Sequence, residues 1–153
     1  MPTEHRSITI RDATADDAAA LASLLGELGY PADVERVRAR AERLLGRQGA
    51  NPSDSVFVAL ADDDADVVGM LAVHRFFGLH DDADVGLITA LVVAERARGL
   101  GVGRQLVDRA VDTARRWGCR RLIVTTHVRR ADAHAFYERI GFELTGRRYA
   151  KVI

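Results

Sequence analysis

The run Leu91-Val92-Val93-Ala94-Glu95-Arg96-Ala97-Arg98-Gly99-Leu100-Gly101-Val102-Gly103-Arg104 decides the fold. Leu91 to Val93 close an apolar, β-prone pattern that begins at Asp84. Three alternating glycines follow, and Leu100, Val102, Leu106, Val107, Ala110, Val111 and Ala114 then share one face of a helix that stops near Gly118. The free amides and dipole of a helix start favour an anion, and glycines let the backbone approach it without a β-carbon in the way. A phosphate or pyrophosphate fits that corner. A lone G-x-G serves equally well to fix a tight turn and a close helix–sheet contact, so the surrounding pattern has to decide.

Toward the N-terminus, Ser7 to Arg11 alternate as a half-buried strand, and Thr14 with Asp17 three positions on sets up a helix start. Ala18, Leu21, Ala22, Leu25 and Leu28 have helical spacing; Gly29-Tyr30-Pro31 ends that helix, and a second runs from Val34 to Leu45. Ser55 to Leu60 and Val67 to Phe77 read as a hairpin with an acidic tip, Ala61 to Asp66, and the loop His80 to Asp82 leads to the strand at Asp84. Beyond the central helix come a short strand, Leu122 to Thr126, a short helix, Ala131 to Ile140, and one or two closing strands within Phe142 to Val152. The order predicts an α/β fold: one domain over residues 1–153, with a mixed parallel and antiparallel sheet flanked by helices.

The 153-residue length suits one core, and 48% hydrophobic with 29% charged residues excludes collagen, disordered tails and disulfide miniproteins. The longest apolar run, Val56 to Ala61, is far short of the roughly 20 residues that span a bilayer, so no membrane association is expected. One cysteine, Cys119, and a charged start without an apolar signal core point to the cytoplasm. Twenty-two basic and 22 acidic residues cancel, which removes the footprint of a general nucleic-acid binder. Only Lys151 among the basic residues is a lysine, a bias we read as coding composition.

Two phosphate motifs fail on the letters. A dinucleotide fingerprint needs glycine where Arg104 stands and an acid near Arg121, and a P-loop needs a lysine that this region lacks. What matches is Arg98-x-x-Gly101-x-Gly103 behind a strand ending Leu91-Val92-Val93, which resembles the acetyl-CoA signature of the GCN5-related N-acetyltransferase superfamily. Ala133-His134-Ala135-Phe136-Tyr137-Glu138-Arg139-Ile140-Gly141-Phe142 is similar to that family's A-x-x-F-Y-x-x-x-G-F run. The likeness is strong from about Ile88 to Phe142 and weak before.

The resemblance implies direct attack of a primary amine, on a small molecule or peptide, on the thioester of acetyl-CoA. In that family the strand before the signature splays from the next one, and the pantetheine arm pairs with main-chain groups that Leu91 and Val93 supply here. The amides of Gly99, Leu100, Gly101, Val102, Gly103 and Arg104 would hold the pyrophosphate, with Arg98 or Arg104 as a charge-assisted donor, while Arg96 faces water. An amide at Val92 or Val93 would stabilise the developing oxyanion. Tyr137, from the F-Y pair, would be the general acid for the leaving thiolate, the alternative being a core aromatic with a bonded hydroxyl.

The family often places a glutamate where this chain has Leu87 and Ile88, and another position falls on Thr125, so no carboxylate base is apparent. His127 and His74 are the substitutes, because imidazole titrates in the right range; a water chain is the alternative. Arg130 stands where many relatives have Asn and either meets a CoA phosphate or is a solvated helix-start residue. Acidic stretches Asp62 to Asp66 and Asp81 to Asp84 either attract a cationic acceptor or are solvated turns, and Tyr30 lies where the family builds an acceptor wall. Cys119 lacks a nearby partner and reads as structural, and the five histidines show no metal spacing. Relatives commonly form a homodimer. The competing reading is a non-catalytic acyl-CoA-binding or regulatory domain on the same scaffold; an acetylating toxin acting on charged tRNA would ask for a basic face.

Overall fold

In the computed structural model, alternation in the strands and capped apolar stripes in the helices produce the expected order almost throughout. The structure describes residues 7–46, 52–61, 66–126 and 130–153. Its elements are β1 (Ile8–Asp12), α1 (Ala18–Leu28), α2 (Val34–Leu45), β2 (Asp54–Ala61), β3 (Val67–Phe76), β4 (Val85–Val93), α3 (Val102–Arg116), β5 (Arg121–Val124) and α4 (Ala131–Arg139). They fall into two compact units, Met1–Ile123 and Val124–Ile153.

The sheet order is β1-β2-β3-β4-β5, and the first three pairings are antiparallel. Helix α3 connects β4 to β5. Period-two alternation divides the side chains between two layers. Val56, Val58, Met70, Ala72 and Val92 pack with Leu21 and Leu24 of α1 and Val37 of α2. Phe57 and Leu71 are fully buried on the other face with Leu106 and Val102 of α3, where the Cβ position of Gly69 would lie 3.0 Å from Val102 and 3.2 Å from Leu106. That contact sets the first turn of α3 tightly on β3.

Two irregularities interrupt the pairing. Between β2 and β3 the partners pass from Leu60↔Val67 to Ala59↔Gly69, leaving Val68 extra. Between β3 and β4 they pass from Ala72↔Ala90 to Val73↔Ile88, leaving Thr89 extra, and its Oγ1 donates to the Ala72 carbonyl at 3.3 Å. Each is a β-bulge, which bends its strand and re-aims the residues around it.

The helix ends follow chemistry legible in the letters. The Asp17 carboxylate accepts the Thr14 amide at 2.8 Å and takes both Arg11 guanidinium nitrogens, at 2.8 and 2.9 Å. Helix α4 ends as a Schellman motif: Phe142 donates to Tyr137 and Gly141, at φ +102°, to Glu138. The same bonds close α1 through Tyr30 to Leu25 and α3 through Cys119 to Ala114.

The closing strands expected within Phe142 to Val152 do not form: no helix or strand is found over residues 142–153. Leu144, Tyr149 and Val152 cannot share one face at period two, and they are 90%, 87% and 97% exposed. Leu100, expected on the apolar face of the central helix, lies outside α3 and is exposed. Among the described residues no helix is long and apolar enough to cross a membrane.

The Arg11 guanidinium and the Thr14 amide hold the Asp17 carboxyl below the usual carboxylate range, against the opposing effect of its own burial. A lowered folded-state value means the pair stabilises above the unfolded value, about pH 4, and the contribution is lost as pH falls through the folded value. Asp17→Asn is therefore expected to cost about 1–2 kcal/mol at neutral pH, seen as a drop of a few degrees in Tm. The gap from wild type should narrow in melts below about pH 4.

Candidate active site

Where β4 ends, Ala94 leaves the sheet, Glu95–Ala97 make one 3-10 turn, and residues 98–101 bring the chain into α3. Gly99 and Gly101 both have φ +79°, a left-handed backbone in which a side chain costs about 1–2 kcal/mol. Gly101 is the N-cap of α3, so no side chain caps that helix start. The first turn of α3 holds no acidic residue, while Arg104 stands exposed within it. The Cβ positions of Gly99 and Gly101 face open space. Main-chain amides with a nearby guanidinium and no competing carboxylate are a donor set that suits a diphosphate, so the residues present fit coenzyme A.

Arg98 turns back toward the strand, its Nε donating to the Val93 carbonyl at 3.4 Å. Arg96, expected to face water, reaches Asp66 Oδ2 at 3.3 Å and the Val67 carbonyl at 3.4 Å. Glu27, at the end of α1, accepts the Glu95 amide at 3.1 Å and so ties α1 to the turn ahead of the glycines.

The edge of β4 follows from one hydrogen bond. The Ala94 amide donates to the Val68 carbonyl at 2.8 Å, and main-chain groups alternate along an antiparallel ladder, so Val92 also turns its amide to β3, opposite Met70. Leu91 and Val93 turn theirs the other way. Strand β5 meets β4 at Gly86, whose Cβ position is 2.9 Å from Leu122 Cδ1. With four residues, β5 stops short of Leu91 to Val93 whichever way it runs. Val92 thus brings a buried side chain to the α1 layer and no free amide to the open edge.

At the other end of the strands, Asp54 is 7% exposed and accepts from Ser53 Oγ at 2.9 Å. Its other oxygen lies 2.8 Å from His74 Nδ1. His74 stands opposite Leu87 of β4. The histidine was legible as a candidate; its carboxylate partner was not, because it comes from the neighbouring strand.

The expected acidic attraction is largely committed elsewhere. Asp81 pairs with Arg121 at 2.8 Å, Asp84 with Arg75 at 3.4 Å, and Asp66 with Arg96; Asp62 to Ala65 lie outside the described residues. Tyr30 is 70% exposed in the link between α1 and α2. Burial and the Asp84 charge push the Cys119 thiol up, against the opposing charge of Arg75. Among the described residues no group of three or more His, Cys, Asp or Glu side chains is placed to hold a metal ion.

The second unit carries Tyr137 on α4, its ring edge-on to Phe136 at 5.3 Å and Phe142 at 5.5 Å. Burial pushes the phenol up and the Arg130 charge opposes it, so the hydroxyl keeps its proton at neutral pH. Arg130 is exposed at the N-cap of α4. The G-F of the second motif has a local explanation: Gly141 takes the left-handed turn, and Phe142 closes the helix on Tyr137 by a main-chain bond and a ring contact. His127 lies outside the described residues.

Residues 20–142 match the acetyltransferase (GNAT) family. This chain belongs to that family. Within it the chain is similar to the aminoalkylphosphonate N-acetyltransferase of Salmonella typhimurium, 36% identical over 99 residues, which span 65% of this chain and 64% of that protein's length. It is 34% identical over 142 residues to the aminoglycoside N(6')-acetyltransferase type 1 of Stenotrophomonas maltophilia, covering 91% of this chain and 88% of that one. A solved aminoglycoside N-acetyltransferase in complex with CoA shares the GNAT fold at a TM-score of 0.83 and 20% identity, covering 100% of this chain and 98% of that one.

Aspartate at position 101 would put a strained side chain and a like charge into the anion corner. In a thermal-shift titration, acetyl-CoA at 100 times its Kd should stabilise the wild type by about 2.7 kcal/mol, roughly 5–10 °C. Gly101→Asp should show no shift at the same concentration.

Proposed function

We propose that the protein is an acetyl-CoA-dependent N-acetyltransferase that moves an acetyl group to a primary amine of a small molecule or peptide by direct attack. The observation that carries this is the uncapped, left-handed glycine start of α3 directly behind the open edge of β4, on the residues of the family signature. The names of the two relatives support an amine acceptor, a phosphonate-bearing or sugar amine being the first classes to try. The family match runs through both compact units, which supports the chain working as one acetyltransferase domain.

Coenzyme A, when bound, supplies an acetyl group activated as a thioester. The chain's part begins with the amides of residues 99–104, which hold the diphosphate, with Arg104 beside them and Arg98 as the second cation. Leu91 and Val93 offer main-chain donors and acceptors along the open edge. The Val92 amide is engaged with β3, so the oxyanion donor is one of the amides that turn to that edge, Val93 or Leu91. Tyr137 gives its proton to the leaving thiolate; burial, which pushes the phenol up, keeps that proton on the hydroxyl until the thiolate forms. The charge of Arg130 eases that step by opposing the effect of burial. With zero net charge and one cysteine, the protein is taken as cytoplasmic and without general nucleic-acid binding.

A thiol-release assay over a panel of amines tests the reading. Turnover is expected with at least one small primary amine, and Tyr137→Phe should lower kcat by about 10²–10⁴ while leaving the acetyl-CoA thermal shift in place. Tight CoA binding with no turnover for any amine would instead make the protein an acyl-CoA-binding module.

A further inference from the structure

We propose that His74, oriented by Asp54, is the general base that takes the proton from the acceptor ammonium, an assignment that rests on the N-acetyltransferase reading above. An amine attacks only as the free base, so a protein that uses ammonium substrates needs a proton acceptor near the reacting end of the coenzyme. Strand β4 supplies none: Leu87, Ile88, Ala90 and Leu91 are all aliphatic.

The neighbouring hairpin supplies one. Asp54, Val56 and Val58 on β2 alternate onto the α1 side of the sheet, as do Met70, Ala72 and His74 on β3. In this apolar surface Asp54 and His74 face each other directly across the pair. The Asp54 carboxylate can only accept, so His74 Nδ1 carries the hydrogen of the 2.8 Å bond and the neutral ring keeps its lone pair on Nε2. Ser53 holds the second carboxylate oxygen at 2.9 Å. Phe76 stacks on the imidazole at 6.5 Å with planes 16° apart. The ring is fixed on two sides, about one-third exposed, and no contact among the described residues occupies Nε2.

Its place along β4 is also right. The diphosphate corner lies beyond Val93, so an arm following the open edge of β4 runs back toward Val85, and His74 stands over that half of the strand, opposite Leu87. From Leu91 to Leu87 is about 13 Å of strand, and the proton crosses what remains of that span between the acceptor nitrogen and Nε2 through a chain of waters. Among the described residues the register sets Asp54 of β2 and Leu87 of β4 beside His74, with Ala72 and Phe76 two positions either side of it on β3. Alternation sends Arg75 to the opposite face, where it lies over Trp117 at 5.5 Å and pairs with Asp84.

In the step, Nε2 takes one proton from the ammonium and later releases it to solvent. The freed nitrogen pair forms the bond to the acetyl carbonyl carbon, and the carbon–sulfur bond breaks. The second proton lost from nitrogen as the amide forms balances the one taken up by the thiolate.

The test uses the full chain with acetyl-CoA and the best acceptor from a panel that includes an aminoalkylphosphonate and an aminoglycoside. Steady-state kinetics are measured from about pH 5.5 to 9 for the wild type, His74→Gln, His74→Ala and Asp54→Asn, beside thermal shifts with acetyl-CoA. His74→Gln should lose about 10²–10⁴ in kcat and the rise of kcat on the acidic side, with KM for acetyl-CoA and its thermal shift unchanged. Asp54→Asn should lose less, and added imidazole should restore part of the activity of His74→Ala, a readout that a structural role would not move. An active wild type beside a His74→Gln variant that keeps its kcat and acidic limb overturns the assignment alone. A wild type that acetylates no amine overturns the enzymatic reading and the assignment with it.

Discussion

Antiparallel pairing between β3 and β4 is the constraint on which the site depends. It engages the amides of Val92 and Ala94 and turns those of Leu91 and Val93 toward an edge that β5 is too short to cover. Main-chain groups in that position are strong, oriented donors and acceptors, and the ladder behind them fixes where they point. The same strand delivers the chain into the glycine turn, and the contact of Val102 and Leu106 at Gly69 locks the first turn of α3 to the neighbouring strand. One sheet therefore sets both the long edge and the anion corner, and Glu27 ties α1 to the joint between them.

The bulge at Val68 does comparable work at the other end. The register beyond it pairs Asp54 with His74; without the extra residue Asp54 would stand opposite Val73, whose side chain belongs to the α3 layer. A one-residue slip moves a whole strand's side chains between faces, so a single irregularity near the hairpin tip determines whether a buried carboxylate meets an imidazole about 20 Å farther along the strand, at about 3.3 Å per residue.

Much of this was legible in the letters, for physical reasons that differ by element. Helix α3 announces itself through apolar spacing and glycine punctuation, and the start and stop of α1 through Asp17 and Gly29, because these signals are local. The glycine turn is local too: Gly99 and Gly101 take the left-handed backbone where the letters put a tight turn. Cross-strand facts were illegible. Neither bulge has a distinctive residue, so the Asp54–His74 pair, the free direction of the Val93 amide and the shortness of β5 could not be read. The closing strands expected within Phe142 to Val152 do not form, and Leu144, Tyr149 and Val152 in that stretch lie exposed.

The arginine bias, read from the letters as a matter of coding, has a use in the folded protein. The guanidinium carbon of Arg75 lies over Trp117 at 5.5 Å from the ring centre, that of Arg109 over Phe57 at 5.3 Å and that of Arg139 over Phe136 at 6.0 Å, and Arg11 grips Asp17 with two nitrogens at once. Each arrangement needs a planar, forked cation, and an ammonium on a flexible stem offers neither the stacking surface nor the paired donors. A genome drifting toward lysine codons would thus meet resistance at these four sites, where a change that leaves the charge intact would still lose a ring contact or a paired hydrogen bond.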